Sequence, residues 1–378
     1  MNLEEARKQF PHIEKGIIYL NHGSISPIPN VVRLGVDKYY QRRATSDIGM
    51  RPWTDDLAWE TKSKVAAMLQ TKPERLAFVH NTADGVSILS SGIEWQEGDR
   101  VLLYKYEYPA NVYPYLLLKR KGVEIDYMDS KDHRITLDLI KSSVTPKTKL
   151  LALSVVQSVT GHRCDIEAIG KFCKEHNIIF ALDAIQGLPQ AKVDVEKAHV
   201  DFLAIAVHKW LMASEGTALI YISEKVQKMI YQISMGASSV ENPYSIFDYD
   251  MDRIRDDAGR YETGMLNYPG IAGLSASLDF QEQFGWDNIR NRVQENSSYL
   301  ISRIKRHGVK VLTPEAEKER SGIVTCEIEN PDQILDRLAK KMIVAKIVVA
   351  MGKRLLRFSP HFYTMEEELK RTMDIVFE

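Results

Sequence analysis

Cysteine, charge of one sign and long apolar runs are what this chain has least of. Its 378 residues include three cysteines, Cys164, Cys173 and Cys326. An odd count with neither a C-x-x-C nor a zinc spacing argues against a disulfide framework or a thiolate metal site, and a reducing cytoplasm is the expected setting. With 50 basic and 51 acidic residues the net charge is −1. There is then no bulk attraction to nucleic acid or to an anionic membrane surface. No apolar run is long enough to span a bilayer. The opening MNLEEARKQFPHIEKG is charged where a signal peptide would be apolar. Neither G-x-G-x-x-G nor G-x-x-x-x-G-K-[ST] occurs, which counts against a nucleotide-binding doubly wound protein.

What remains is an ordinary soluble composition, 44% hydrophobic and 27% charged, in a chain long enough for two or three domains around a large core. Residues 1–15 read as an amphipathic arm, followed by a short strand at 17–20 and a Gly/Ser/Pro-rich loop. Helical signals run from Asn30 to Gln70 with a break near Arg51-Pro52. From about 70 to 225, apolar runs alternate with helical patterns: RLAFVH, RVLLY, VEIDYM, KLLALSVV, IIFALDA and DFLAIAV. Strands that are almost continuously apolar, separated by helices of roughly ten to fifteen residues, imply a mostly parallel sheet covered on both faces. The segment MGASSVENPYSIFDYDMD is too polar for core and too long for a routine connection, which favours a functional or interface loop. A long helical stretch, Ile271 to Gly308, leads into an α+β C-terminal part. The expected division is an arm (1–15), a large domain (16–265), and a connecting helix with a smaller domain (266–378).

In an open parallel sheet, ligands bind beyond the carboxyl ends of the strands. Asn81-Thr82-Ala83-Asp84-Gly85 opens a helix there, either as a plain N-cap or as a phosphate cradle. Tyr108, in YEYPAN, can stack on a flat heterocycle or simply pack in the core. LLALSVV ends in Gln157-Ser158-Val159-Thr160-Gly161, a polar turn. Asp183 follows a buried apolar run, which is costly unless it is paired, caps a helix or faces a positive ligand group; no His/Asp cluster accompanies it for a metal. Gln186 lies three residues on. Lys209 ends the run FLAIAV as a solvated lysine or as a desolvated amine with a lowered pKa. An anion cradle, a ring, an acid and an amine together match the needs of pyridoxal phosphate.

On the Asp-x-x-Gln of DAIQ and the His-Lys of VHKWL, the chain resembles the class V aminotransferases of fold-type-I pyridoxal-phosphate enzymes, in their cysteine desulfurase and isopenicillin N epimerase-like branch. The resemblance extends from LNHGS to RFSPHFYT. It implies an α/β fold whose large domain has a mixed, mostly parallel sheet and whose smaller C-terminal domain is α+β. It implies pyridoxal 5′-phosphate with Lys209 as Schiff-base lysine, Asp183 as partner of the pyridinium, and Gln186 at the phenolic oxygen. Tyr108 stands at the stacking position; Thr82, Ala83, Ser158 and His208 complete the cofactor set. Gly264 and Met265 match a motif that reaches the neighbouring subunit's phosphate, so a homodimer with shared sites is implied. Arg357 matches the arginine that holds the substrate carboxylate, and LNHGS places Asn21 and His22 near an amino acid substrate.

The chain departs from the desulfurase pattern at Ser158, Ala83, Ala206 and Met265. The span VAMGKRLL, where a nucleophilic cysteine should lie, is short and has none. The expectation is therefore an enzyme of aminotransferase type working through a Cα carbanion, with epimerase, racemase or β-lyase chemistry as alternatives and cysteine desulfurase chemistry disfavoured. A non-catalytic sensor or scaffold is a further alternative, although the fold leaves almost no residues for an output module.

Overall fold

The computed structural model describes residues 1–49, 52–241 and 253–378, with Phe247 and Tyr249. Part of the expected break at Arg51-Pro52, and much of the loop around NPYSIFDYDMD, lie outside the described residues. Seven strands form the central sheet: β1 (Leu76–Val79), β2 (Arg100–Tyr104), β3 (Glu124–Met128), β4 (Thr148–Ser154), β5 (Ile179–Asp183), β6 (Phe202–Ala206) and β7 (Ala218–Ile222). Their spatial order is β1-β7-β6-β5-β4-β2-β3. All run parallel except β7, which is antiparallel to both its neighbours. Strands β5, β6 and β7 are buried at every position, as apolar runs must be when helices cover both faces.

Helices α1 (Asn30–Thr45), α2 (Trp53–Leu69), α3 (Thr82–Gly92) and α4 (Ile166–Glu175) belong to this unit. The stretch expected as one long helix is two, α5 (Tyr268–Phe284) and α6 (Trp286–Arg306). Gly285 separates them with φ +99°, a conformation L side chains rarely adopt. Helix α5 packs on α1 and α2, and its buried face joins the main core.

Beyond α6, strands β8 (Lys310–Val311), β9 (Val324–Glu327), β10 (Lys346–Ala350) and β11 (Lys353–Phe358) make an antiparallel sheet in the order β10-β11-β9-β8. Helices α7 (Pro331–Lys340) and α8 (Glu366–Val376) pack with it around a separate core. The N-terminal chain joins this unit: Ile18–Tyr19 pairs in parallel with Ile343–Val344. Upstream, Arg7 pairs with Glu368 at 2.8 Å, and Phe10 stacks on Tyr363 with ring centroids 3.7 Å apart. The β10–β11 connection is a two-residue turn in which Met351 and Gly352 both have positive φ, the geometry that suits the strands' own twist.

Candidate active site

The carboxyl ends of β1, β2, β4, β5 and β6 open onto one cavity of about 730 Å³, roofed by the β10–β11 hairpin and Arg357 from the smaller unit. Thr82, Ala83, Tyr108, Ser158, Gln186, His208, Lys209 and Arg357 all line it. Asp183 lies beneath, 1% exposed.

Lys209 is 5% exposed, with its Nζ 5.1 Å from the centroid of the Tyr108 ring. Burial lowers its pKa below the ordinary lysine value; Asp183 opposes that shift and the Arg357 cation reinforces it. The Ile185 backbone N–H donates to Asp183 Oδ1 at 2.9 Å, while Oδ2 is buried without a partner. Burial raises the Asp183 carboxyl, the Ile185 N–H restrains it and Glu107 adds to the rise. A buried carboxylate with one orphaned oxygen is unfavourable in this chain alone. It is a site arranged for a cationic or protonated group. Gln186 accepts from Trp210 Nε1 at 2.7 Å and donates through Nε2 to the Gly23 carbonyl at 2.8 Å, which leaves one amide N–H available.

Arg357 reaches the cavity from β11, 5% exposed. Its Nη1 donates to the Ser158 carbonyl and its Nη2 to Ser24 Oγ, both at 2.8 Å, so this one side chain ties the two units and the N-terminal turn together. The expectation for Asn21 and His22 needs correction. Neither lines the cavity; Gly23 and Ser24 do. His22 is fully buried, with Nδ1 3.0 Å from the Ser359 carbonyl and Nε2 2.8 Å from the Tyr363 hydroxyl. A carbonyl partner requires the proton on Nδ1, so Nε2 accepts from Tyr363. Burial, aided by His361, holds His22 well below the ordinary histidine range. The histidine faces backwards into the protein because both its nitrogens are satisfied there.

At the other end of the cavity, Asn81 caps α3 by accepting from the Asp84 N–H at 2.9 Å. Thr82 Oγ1 is buried and unpartnered at the first helical position. Asn81 is therefore the plain N-cap, and the Thr82 hydroxyl beside it is left without a partner at the helix N-terminus. Gly264 and Met265 lie elsewhere, lining a second cavity of about 350 Å³, with Met265 75% exposed.

Sequence reasoning passed over Glu107. It lines the cavity and accepts from the backbone N–H groups of Tyr108 (3.0 Å) and Ser154 (2.8 Å), from Gln157 Nε2 (3.1 Å) and from the Ser154 hydroxyl. It thereby pins the Tyr108 loop to the end of β4. The only signal was a carboxylate between two tyrosines after a buried strand. The residues Ile347 and Val348 just before the VAMGKRLL span were passed over too, since nothing local says that an edge strand will roof a distant cavity.

A family model described as Aminotransferase class-V matches residues 18–371. The chain belongs to the class V aminotransferase family. The cofactor of this family is pyridoxal 5′-phosphate, and the fold is that of the fold-type-I enzymes. A probable cysteine desulfurase of Pyrococcus abyssi is 25% identical over 99% of this chain and 97% of its own length. Among solved structures, the apo cysteine desulfurase of Thermococcus onnurineus NA1 superposes with a TM-score of 0.89 at 23% identity, covering 98% of this chain and 96% of the other. The cystine C-S lyase C-DES, in complex with its reaction product cysteine persulfide, gives 0.87 at 21% identity, covering 97% and 99%. These matches overturn the expectation that disfavoured cysteine desulfurase chemistry. That expectation rested on a missing cysteine, which bears on where sulfur goes after it leaves. It says nothing of whether the carbon–sulfur bond can be broken. The residues at the cavity fit the cofactor: an orphaned carboxylate oxygen on Asp183, an orphaned hydroxyl on Thr82 at a helix N-terminus, and a buried amine beneath a ring.

Proposed function

We propose that this class V enzyme is a carbon–sulfur lyase, acting on an L-amino acid that carries sulfur at Cβ. The observation that carries the reading is Lys209, a buried amine held below its ordinary pKa beside the orphaned carboxylate of Asp183, in a cavity that Arg357 also lines. That relatives include a probable cysteine desulfurase and a cystine C-S lyase supports the lyase channel over transamination or epimerisation.

In this reading Lys209 would hold the cofactor through its amine and, once free, serve as the base at the substrate's Cα. Bound here, the cofactor supplies an aldehyde for the amine and a protonated ring that draws electrons from Cα. Asp183 Oδ2 would hold the proton of the ring nitrogen; Tyr108 would cover one ring face and Gln186 would offer its spare N–H to the phenolic oxygen. Thr82, the α3 N-terminus with Ala83, and His208 would hold the phosphate. Arg357 orients the carboxylate and so fixes which Cα bond faces Lys209. The Cα–H proton passes to Lys209 Nζ, and the bonding pair becomes the Cα=Cβ double bond. The Cβ–S pair departs with sulfur, which takes the proton back from Lys209. All three cysteines are buried away from the cavity with thiols raised by burial.

We further propose a homodimer in which Gly264 and Met265 approach the partner's phosphate site. The test of the lyase reading is to incubate the holoprotein with cysteine, cystine and sulfur-free amino acids and assay pyruvate, sulfide and keto acids. Pyruvate with sulfide or persulfide is expected. Keto acid from a sulfur-free donor, or a racemised amino acid, in their place would assign the site to another channel. Lys209→Ala should abolish the borohydride-trappable chromophore and lower kcat/KM by about a thousandfold or more.

A further inference from the structure

We infer that Ser24 is a substrate-binding residue, its hydroxyl being a second donor beside Arg357 for the carboxylate of the amino acid. This rests on the reading that Arg357 receives that carboxylate. Ser24 lines the cavity, and its Oγ accepts from Arg357 Nη2 at 2.8 Å. A hydroxyl offers one proton and two lone pairs. With a lone pair committed to a guanidinium, the proton is left free to reach an acceptor in the cavity. An N–H to O–H to anion chain polarises in one direction, and each bond strengthens the next.

The turn that carries Ser24 is held from both units. The Ser24 N–H bonds the Asn21 carbonyl at 3.0 Å, His22 N–H bonds the Ser359 carbonyl at 3.1 Å, and Ser26 N–H bonds the His208 carbonyl at 2.9 Å. Gly23 N–H donates to Ser359 Oγ at 2.8 Å. A Cβ at Gly23 would lie 3.2 Å from Arg357 Cζ and Nη2, so any larger residue would press the guanidinium aside by a few tenths of an ångström. The Gly23 carbonyl takes the Gln186 amide, which links the carboxylate site to a cofactor-contacting residue through one peptide. His22 acts here as a positioning residue, fixing the turn from behind.

The experiment compares wild-type, Ser24→Ala and Ser24→Thr holoenzymes. Steady-state kinetics use the preferred L-amino acid and the amine that lacks its carboxylate; calorimetry measures the binding of propionate as a bare carboxylate probe. Loss of a hydrogen bond to a charged group should raise both KM and the propionate Kd about tenfold or more in Ser24→Ala, with kcat within about threefold. The amine should be unaffected, and Ser24→Thr, which keeps the hydroxyl, should match wild type. Unchanged propionate affinity in Ser24→Ala, or equal impairment of amine and amino acid, would overturn the assignment. Failure of the lyase reading is separable: wild type would then form no elimination product, while propionate binding would still depend on Ser24.

Discussion

Asp183 is the residue where function and stability pull apart. Its unpartnered Oδ2 is buried, and burial raises its carboxyl above the ordinary value of 3.8. Between that value and the raised one, the folded state binds more protons than the unfolded state. The stability of the cofactor-free protein therefore falls as pH rises through that window. Asp183→Asn removes the charge while keeping the shape. The cofactor-free variant should melt about 1–4 °C higher at pH 8 by calorimetry, yet kcat should fall about a hundredfold or more as proton retention on the ring is lost. Lys209 gives the opposite limb. Burial lowers it, so the free amine is present above a pKa below 10.5 and is lost as pH falls through it. The kcat profile, which reports the substrate complex in which Lys209 is free, should show an ascending limb below the usual lysine range, and a limb at the usual value would mean that Lys209 is not the base.

At the scale of elements, the N-terminus of α3 separates ligand binding from folding. Thr82 Oγ1 makes no bond in the described structure, so Thr82→Val should leave the cofactor-free melting temperature within about 1 °C. The same variant should weaken pyridoxal phosphate binding about tenfold, read by fluorescence titration, through loss of one charge-assisted bond. What could be read from the sequence follows from the same distinction. β5 and β6 announce themselves because both are buried throughout and apolar up to Asp183 at the end of β5 and Ala206 at the end of β6, and Asp183 and Lys209 inherit that clarity. Ser24 and Glu107 stayed silent because their roles arise from partners 333 and 47 residues away along the chain, Arg357 and Ser154. His22 was legible as a special residue but not as a buried one, since its direction is set by Ser359 and Tyr363 from the smaller unit. The split between α5 and α6 was hidden by apolar periodicity that continues through Gly285.

For the whole molecule, the proposed dimer turns on the segment after Glu262. That carboxylate pairs with buried Lys62 at 3.3 Å and accepts the Phe78 N–H at 2.8 Å, which fixes where Gly264 and Met265 emerge. Met265 is 75% exposed, a large apolar side chain displayed beside a glycine. Met265→Glu should shift the protein from dimer to monomer in sedimentation velocity and weaken cofactor binding in the same protein concentration range. A variant that stays dimeric with full cofactor affinity would count against shared sites. The turn at Met351-Gly352 has a different kind of consequence. It sits at the tip of a hairpin whose first strand roofs the cavity, on the surface, where added residues cost little closure entropy. Evolution, or an engineer, can lengthen this tip to bring a new nucleophile or lid over an unchanged base and acid. The fold thus keeps its chemistry and its substrate repertoire on separately inheritable pieces of chain.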